Sequence, residues 1–105
     1  MPIAFVQEFD VQPGETQVTT NYDAIATRLR EQNPTPDGLI VHTAGYTPDN
    51  VFRVFAIWES EDDLQRFMNE QLMPAVQAVT EQAEGALAQP ARQYTYELHD
   101  IQRGA

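Results

Sequence analysis

The sequence predicts an α+β domain whose strands and helices follow in the order β-α-β-β-α-β. Three observations carry that prediction. Four short segments, 3–10, 39–46, 51–58 and 92–99, have the alternating or continuous apolar character of strands. Two segments between them repeat apolar residues at helical spacing. Pro, Gly and Asn punctuate the joints.

Ile3 to Asp10 (IAFVQEFD) starts apolar and then alternates, as a strand that loses burial toward its end would. Val11 to Val18 is a loop around Pro13-Gly14. Thr20-x-x-Asp23 resembles a capping box, and behind it Tyr22, Ile25, Ala26 and Leu29 recur at i, i+3, i+4 and i+7. Asn33-Pro34 ends that helix, because Pro disfavours α geometry in the residue before it. After a turn at Pro36-Asp37-Gly38, LIVHTAGY and VFRVFAIW form the second and third strands. Thr47-Pro48-Asp49-Asn50 between them reads as a four-residue type I turn.

Ser60 with Glu61, Asp62 and Asp63 is an N-cap with acids on the positive end of a helix dipole. Leu64, Phe67, Met68, Leu72, Ala75, Val76 and Val79 make one apolar stripe behind it. Pro74 removes a donor within that stripe. The helix should therefore break near residues 71–73 into pieces at 61–71 and 74–84, with Gly85 as its stop. Arg92 to His99 (RQYTYELH) alternates and is the fourth strand. The whole is a split-βαβ, ferredoxin-like plan: one domain over residues 1–105, a four-stranded antiparallel sheet with both helices on one face.

Charge and composition limit the function. Sixteen acids stand against six Arg, for a net charge of −10. Such a chain repels phosphate, which excludes nucleic acid and anionic membrane surfaces as partners. Without Cys there is no disulfide, thiolate nucleophile or zinc knuckle. The two His lie on different strands, and no H-x-x-x-H spacing offers a protein-built metal site. No apolar run approaches the ~20 residues of a membrane span. Met1-Pro2-Ile3 opens a strand rather than a signal peptide, so the expected location is the cytoplasm.

Two helices cover one face of a sheet, and the other face should then alternate with polar residues. The third strand has one charge in eight residues, and IAFV and LIV are continuously apolar. Something must cover the second face. A second copy of the sheet, in a homodimer, is the favoured cover; the alternative is the loop at 11–19.

The stretch Phe52-x-Val54-Phe55-x-x-Trp58-Glu59-Ser60-x-Asp62-x-Leu64-x-x-Phe67, followed by Leu72-Met73-Pro74-Ala75, resembles the dimeric α+β barrel superfamily. Within it the chain is most similar to small bacterial members of the antibiotic-biosynthesis-monooxygenase-like group, and Gly38 to Gly45 (GLIVHTAG) adds to the likeness. The likeness spans about residues 3–98 and implies two sheets packed face to face, with a pocket between sheet and helices. Its members include cofactor-free monooxygenases, haem-degrading enzymes and muconolactone-isomerase-like enzymes, and fold does not select among them. The haem-degrading members use a His on a helix, and neither helix here has one. The expectation is therefore a protein without a cofactor.

A four-residue turn would place His42 opposite Phe55 and Ala44 opposite Arg53, putting Ile40, His42, Arg53, Phe55 and Ile57 on one face. In that arrangement His42 is a candidate proton acceptor and Arg53 a candidate holder of an anion or enolate. The alternative is a locally bonded His and an Arg reaching solvent or an acid. Tyr22, Phe55, Trp58 and Phe67 are candidates to line a pocket for a small apolar or aromatic ligand, and core packing is their other reading. Tyr94 and Tyr96 share a face, more suited to a dimer seam. His99-Asp100 is a solvated strand end, since neighbours on a strand point to opposite faces.

Three functions remain. The chain is a cofactor-independent, monooxygenase-like or isomerase-like enzyme acting on an aromatic or polyketide-type ring; or a non-catalytic binding or interaction protein; or a tautomerase. The last follows from Met1-Pro2-Ile3, which is similar to the start of tautomerases that use a free Pro amine as base.

Overall fold

The computed structural model describes residues 1–83 and 87–104, so the expected helix stop at Gly85 lies outside the described residues. The elements are β1 (Ile3–Asp10), α1 (Gln17–Gln32), β2 (Leu39–Tyr46), β3 (Val51–Trp58), α2 (Glu61–Phe67), a π-helical turn (Met68–Leu72), α3 (Met73–Gln82) and β4 (Arg92–Glu97). The sheet is antiparallel in the order β2-β3-β1-β4, with the helical elements on one face. No helix is long and apolar enough to cross a membrane.

Helix α1 begins earlier than the capping signal at Thr20 suggests. Its N-cap is Thr16, whose side chain makes no capping bond. Packing supplies the reason: Val18 is buried with Val11, Phe52 and Val54, and so extends the apolar face by one turn. The same contact takes the 11–19 loop to the helix-covered face, where it cannot cover the other. The end at Asn33 is as expected, with its N–H donating to the Leu29 carbonyl.

Ser60 is extended (φ −155°, ψ 161°), and its Oγ accepts from the Asp63 N–H at 3.1 Å. The Asp63 carboxyl lies against Gly38, where a Cβ would collide with it. Gly38 also has φ +85°, a left-handed conformation that side chains disfavour. The break before Pro74 is a π turn: the Met73 N–H donates to the Met68 carbonyl, five residues back. The widened turn accommodates a Pro ring that would otherwise crowd the Glu70 carbonyl, and Pro74 then sits in the first turn of α3, where its missing donor costs little. The second piece starts at Met73 and runs in phase with the first, as Leu64, Ala75 and Val79 are all buried.

The hairpin differs from expectation by one residue. Tyr46 pairs with Phe52, Gly45 with Arg53 and Thr43 with Phe55. Asn50 takes a left-handed conformation (φ 60°), and the Thr47 N–H donates to the Val51 carbonyl, so the loop is one residue longer than a four-residue type I turn. An irregularity between Leu39 and Val41 restores Leu39 to the side of Trp58. A one-residue slip exchanges faces.

Two sets of rows result. Toward the helices lie Leu39-Trp58-Ile3, His42-Ala56-Phe5, Ala44-Val54-Gln7-Gln93 and Tyr46-Phe52-Phe9. Away from them lie Val41-Ile57-Ala4-Tyr96, Thr43-Phe55-Val6-Tyr94 and Gly45-Arg53-Glu8-Arg92. In this second set Tyr94 and Tyr96 are nearly half exposed and stack with centroids 6.3 Å apart, and Phe55 and Ile57 are half-buried. The strand β4 ends at Glu97, leaving His99 outside the ladder.

Candidate functional site

Helix α1 divides the covered side of the sheet into two hollows, and Ala26 and Leu29 contribute to both. The first is a cavity of about 350 Å3 over Val54, Gln7, Gln93 and Phe9. One wall is α1, through Val18, Asn21, Tyr22 and Ile25. The other is the broken helix, through Met68, Leu72, Met73 and Val76, with residues 87–90 at its rim. Apolar surface dominates, and Gln7, Gln93, Asn21, Gln89 and the Tyr22 phenol supply the polar groups. That mixture is the usual makeup of a small-molecule site.

The second hollow is a more open groove of about 420 Å3 along the β2 edge. Arg30, Asn33 and Pro36 meet His42, Trp58 and Phe67 there. Trp58 and Phe67 pack with centroids 4.9 Å apart and planes tilted by 43°. Trp58 is almost fully buried, and its indole N–H has no hydrogen-bond partner among the described residues. Leaving such a donor unmet costs about 1–3 kcal/mol.

Tyr22 joins the two hollows. Its ring lies parallel to that of His42, with centroids 6.1 Å apart and 4° between planes, and meets Phe52 edge-on at 5.2 Å. His42 is exposed on β2, and partial desolvation, then the Arg30 cation, pull its pKa below its ordinary value of 6.5. Its imidazole is therefore neutral near pH 7 and can accept a proton. Burial is also the main influence on Tyr22, raising its phenol pKa. Tyr22 thus stays protonated near pH 7, with a phenol able to donate rather than to act as a base.

Of the six residues expected at a site, His42, Trp58 and Phe67 converge on the groove, and Tyr22 connects them to the cavity. Arg53 and Phe55 do not join them. The one-residue slip in the hairpin places both on the opposite face of the sheet. There Arg53 is committed to Glu8: its Nε donates to a Glu8 carboxylate oxygen at 2.9 Å. Arg92 binds the other Glu8 oxygen at 2.6 Å and reaches Asp10 as well. Glu8 is buried, and these hydrogen bonds, Arg92 first and Arg53 second, hold its pKa below the usual value. Arg53 is thereby a structural partner rather than an anion holder facing His42.

Pro2 is half-buried just before β1. Its carbonyl accepts from the Leu98 N–H, and the shallow pocket beside Met1 is lined by Glu61, Asp62 and Glu97 with no cation among its described residues. The polar cavity-lining residues that the sequence reading did not single out are Gln7, Gln93 and Asn21. A signal for Gln7 was present: Ile3, Phe5 and Phe9 alternate toward the helices, and Gln7 interrupts them.

No family model matches the chain, and no curated protein does. Solved structures match along nearly its whole length. A protein of unknown function, NE2512 from Nitrosomonas europaea, aligns with a TM-score of 0.67 at 23% identity, over 99% of this chain and 95% of that one. SnoaB, a cofactor-independent oxygenase from Streptomyces nogalater, aligns with a TM-score of 0.63 at 15% identity, over 95% of each chain. A putative antibiotic biosynthesis monooxygenase from Chloroflexus aurantiacus gives 0.62 at 13% identity, over 98% of each. The chain therefore has the α+β fold of the antibiotic-biosynthesis-monooxygenase-like proteins.

Proposed function

We propose that this chain is a homodimer that binds a flat, largely apolar small molecule between sheet and helices. We propose further that it acts on that molecule as a cofactor-independent, monooxygenase-like or isomerase-like enzyme. The observation that carries the reading is the cavity of about 350 Å3, apolar throughout most of its lining and edged by amides and a phenol. The reaction class is taken from the likeness to a cofactor-independent oxygenase, one of several activities carried on this fold. On the face away from the helices, the exposed Val41, Tyr94 and Tyr96 beside the half-buried Phe55 and Ile57 support the homodimer, because an apolar patch of that kind gains by being covered.

His42 is the proposed proton acceptor. A ring seated against Tyr22 and extending into the groove would bring an acidic C–H or O–H toward the neutral imidazole. In cofactor-free oxygenation the resulting enolate supplies the electrons to dioxygen. For a ring methylene, one oxygen atom becomes the new carbonyl and the other leaves as water with the two methylene hydrogens.

One observation favours a second reading, a non-catalytic binding protein. Tyr22 is the sole titratable residue lining the cavity among the described residues. The test uses dithranol, a tricyclic hydroxy-ketone with an acidic methylene. Oxygen uptake by metal-free wild-type protein, lost in His42→Asn while binding persists, supports the enzyme. Binding without uptake in the wild type supports the second reading, and absence of binding refutes both.

A further inference from the structure

We infer that the paired side-chain amides of Gln7 and Gln93 select a neutral ring carrying a hydrogen-bond donor beside a carbonyl. The inference rests on the cavity being the ligand site and goes on to its specificity. Gln7 faces the helices from a strand whose other inward residues are Ile3, Phe5 and Phe9. Gln7 is half-buried and Gln93 exposed, so both amides border the cavity at its solvent-reached side and keep polar groups free for a ligand. Gln7 lies between Val54 on β3 and Gln93 on β4, at the floor of the cavity.

The two amides share one hydrogen bond, from Gln7 Nε2 to Gln93 Oε1 at 2.9 Å. That leaves the Gln7 carbonyl oxygen as an acceptor and the Gln93 amide N–H groups as donors. Turning both amides over reverses the shared bond and still leaves one acceptor and one donor. The pair is therefore complementary to a lactam or hydroxy-ketone edge in either orientation. No charged side chain lines the cavity among the described residues. An anionic ligand would find no cation in it, inside a chain of net charge −10.

Carbostyril, a two-ring lactam, is the probe, and isothermal titration calorimetry is the measurement. Its N-methyl derivative keeps the carbonyl but lacks the donor, which leaves the Gln7 acceptor unmet. Naphthalene reports the cavity alone, and quinaldate carries the charge. The wild type should prefer carbostyril to its N-methyl derivative by about tenfold, the effect of one neutral hydrogen bond at the upper end of its range. Quinaldate should bind at least about tenfold more weakly than carbostyril. In the Gln7→Leu/Gln93→Leu double variant, which removes every amide acceptor at the pair, the preference should fall below about twofold, with naphthalene still bound. Because Leu is close to Gln in volume, a preference that survived both changes would be a steric response to the methyl group and would overturn the inference. Equal binding of carbostyril and its N-methyl derivative by the wild type, or tighter binding of quinaldate, would also overturn it while leaving the cavity reading intact. If the wild type bound none of the four, the cavity reading itself would fail. Should the double variant not fold, the wild-type order of carbostyril, its N-methyl derivative and quinaldate decides alone.

Discussion

Replacing Phe55 by Asp tests the homodimer directly. Phe55 stands on the face away from the helices, between Thr43 and Val6, and is half-buried in the protomer. In a lone protomer an Asp there reaches water, and the loss is mainly Phe packing. In the dimer the carboxylate would be enclosed by apolar side chains, and the cheapest relief is to take up a proton. From an ordinary pKa of about 3.9, protonation at pH 7 costs about 4 kcal/mol per side chain. Two-fold symmetry places the change on both protomers, so dissociation should be favoured by up to about 8 kcal/mol, or roughly a millionfold. At pH 5 the cost falls to about 1.5 kcal/mol per side chain, and much of the association should return. Sedimentation velocity at micromolar concentration, at both pH values, reads the effect. A wild type that is monomeric at that concentration, or a Phe55→Asp protein that dimerises as tightly as wild type at pH 7, would refute the reasoning.

Other outcomes follow from the same geometry. Leu64 is the most completely buried large side chain, packed on Ile3, Phe5, Ala56 and Trp58; Leu64→Ala should cost about 3–5 kcal/mol in urea unfolding, and a loss under 1 kcal/mol would show that the core closes around the gap. Pro74→Ala should change stability little, because Pro already sits in the first turn of α3, and should alter ligand affinity more, since Met68, Leu72 and Met73 wall the cavity. A large loss of stability with unaltered affinity would contradict that. His42 is less basic folded than unfolded, so its contribution to stability is full above its unfolded pKa of about 6.5 and declines as pH falls toward the lower folded value. Unfolding free energy followed downward from pH 7 should show a decline that His42→Asn lacks, and parallel curves for the two proteins would exclude the effect.

Much of the fold was legible because local and tertiary preferences agree. The Ser60 cap, the Asn33-Pro34 stop and the bounds of β1, β2 and β3 each have a short-range cause that packing reinforces. The start of α1 was not, because burial of Val18 outweighs the polar cap signal two residues later. The site was half legible. Trp58 and Phe67 follow from helix and strand periodicity, but their meeting with His42 depends on strand register. Register depends in turn on the conformation of Asn50, and Asn after Pro-Asp is itself a hint of the left-handed turn that occurs. Gln7 and Gln93 were passed over because an uncharged amide carries no signature of its own in a sequence. Its meaning appears once strand pairing sets the two side by side.

The hairpin loop between β2 and β3 also acts as a parity device. With Asn50 left-handed, His42, Ala44 and Tyr46 look toward the helices and Val41, Thr43 and Gly45 toward the other face of the sheet. Shortening the loop by one residue would leave every strand residue in place along the chain and invert what β2 shows to each side. Thr43 would then turn toward the helices, and His42 would lie beside Phe55 on the face assigned to the proposed homodimer. A single deletion could thus move an imidazole from ligand chemistry to subunit contact without changing any side chain. For proteins built on this plan, loop length between the two strands is a heritable variable in its own right, one that redistributes residues between binding and assembly.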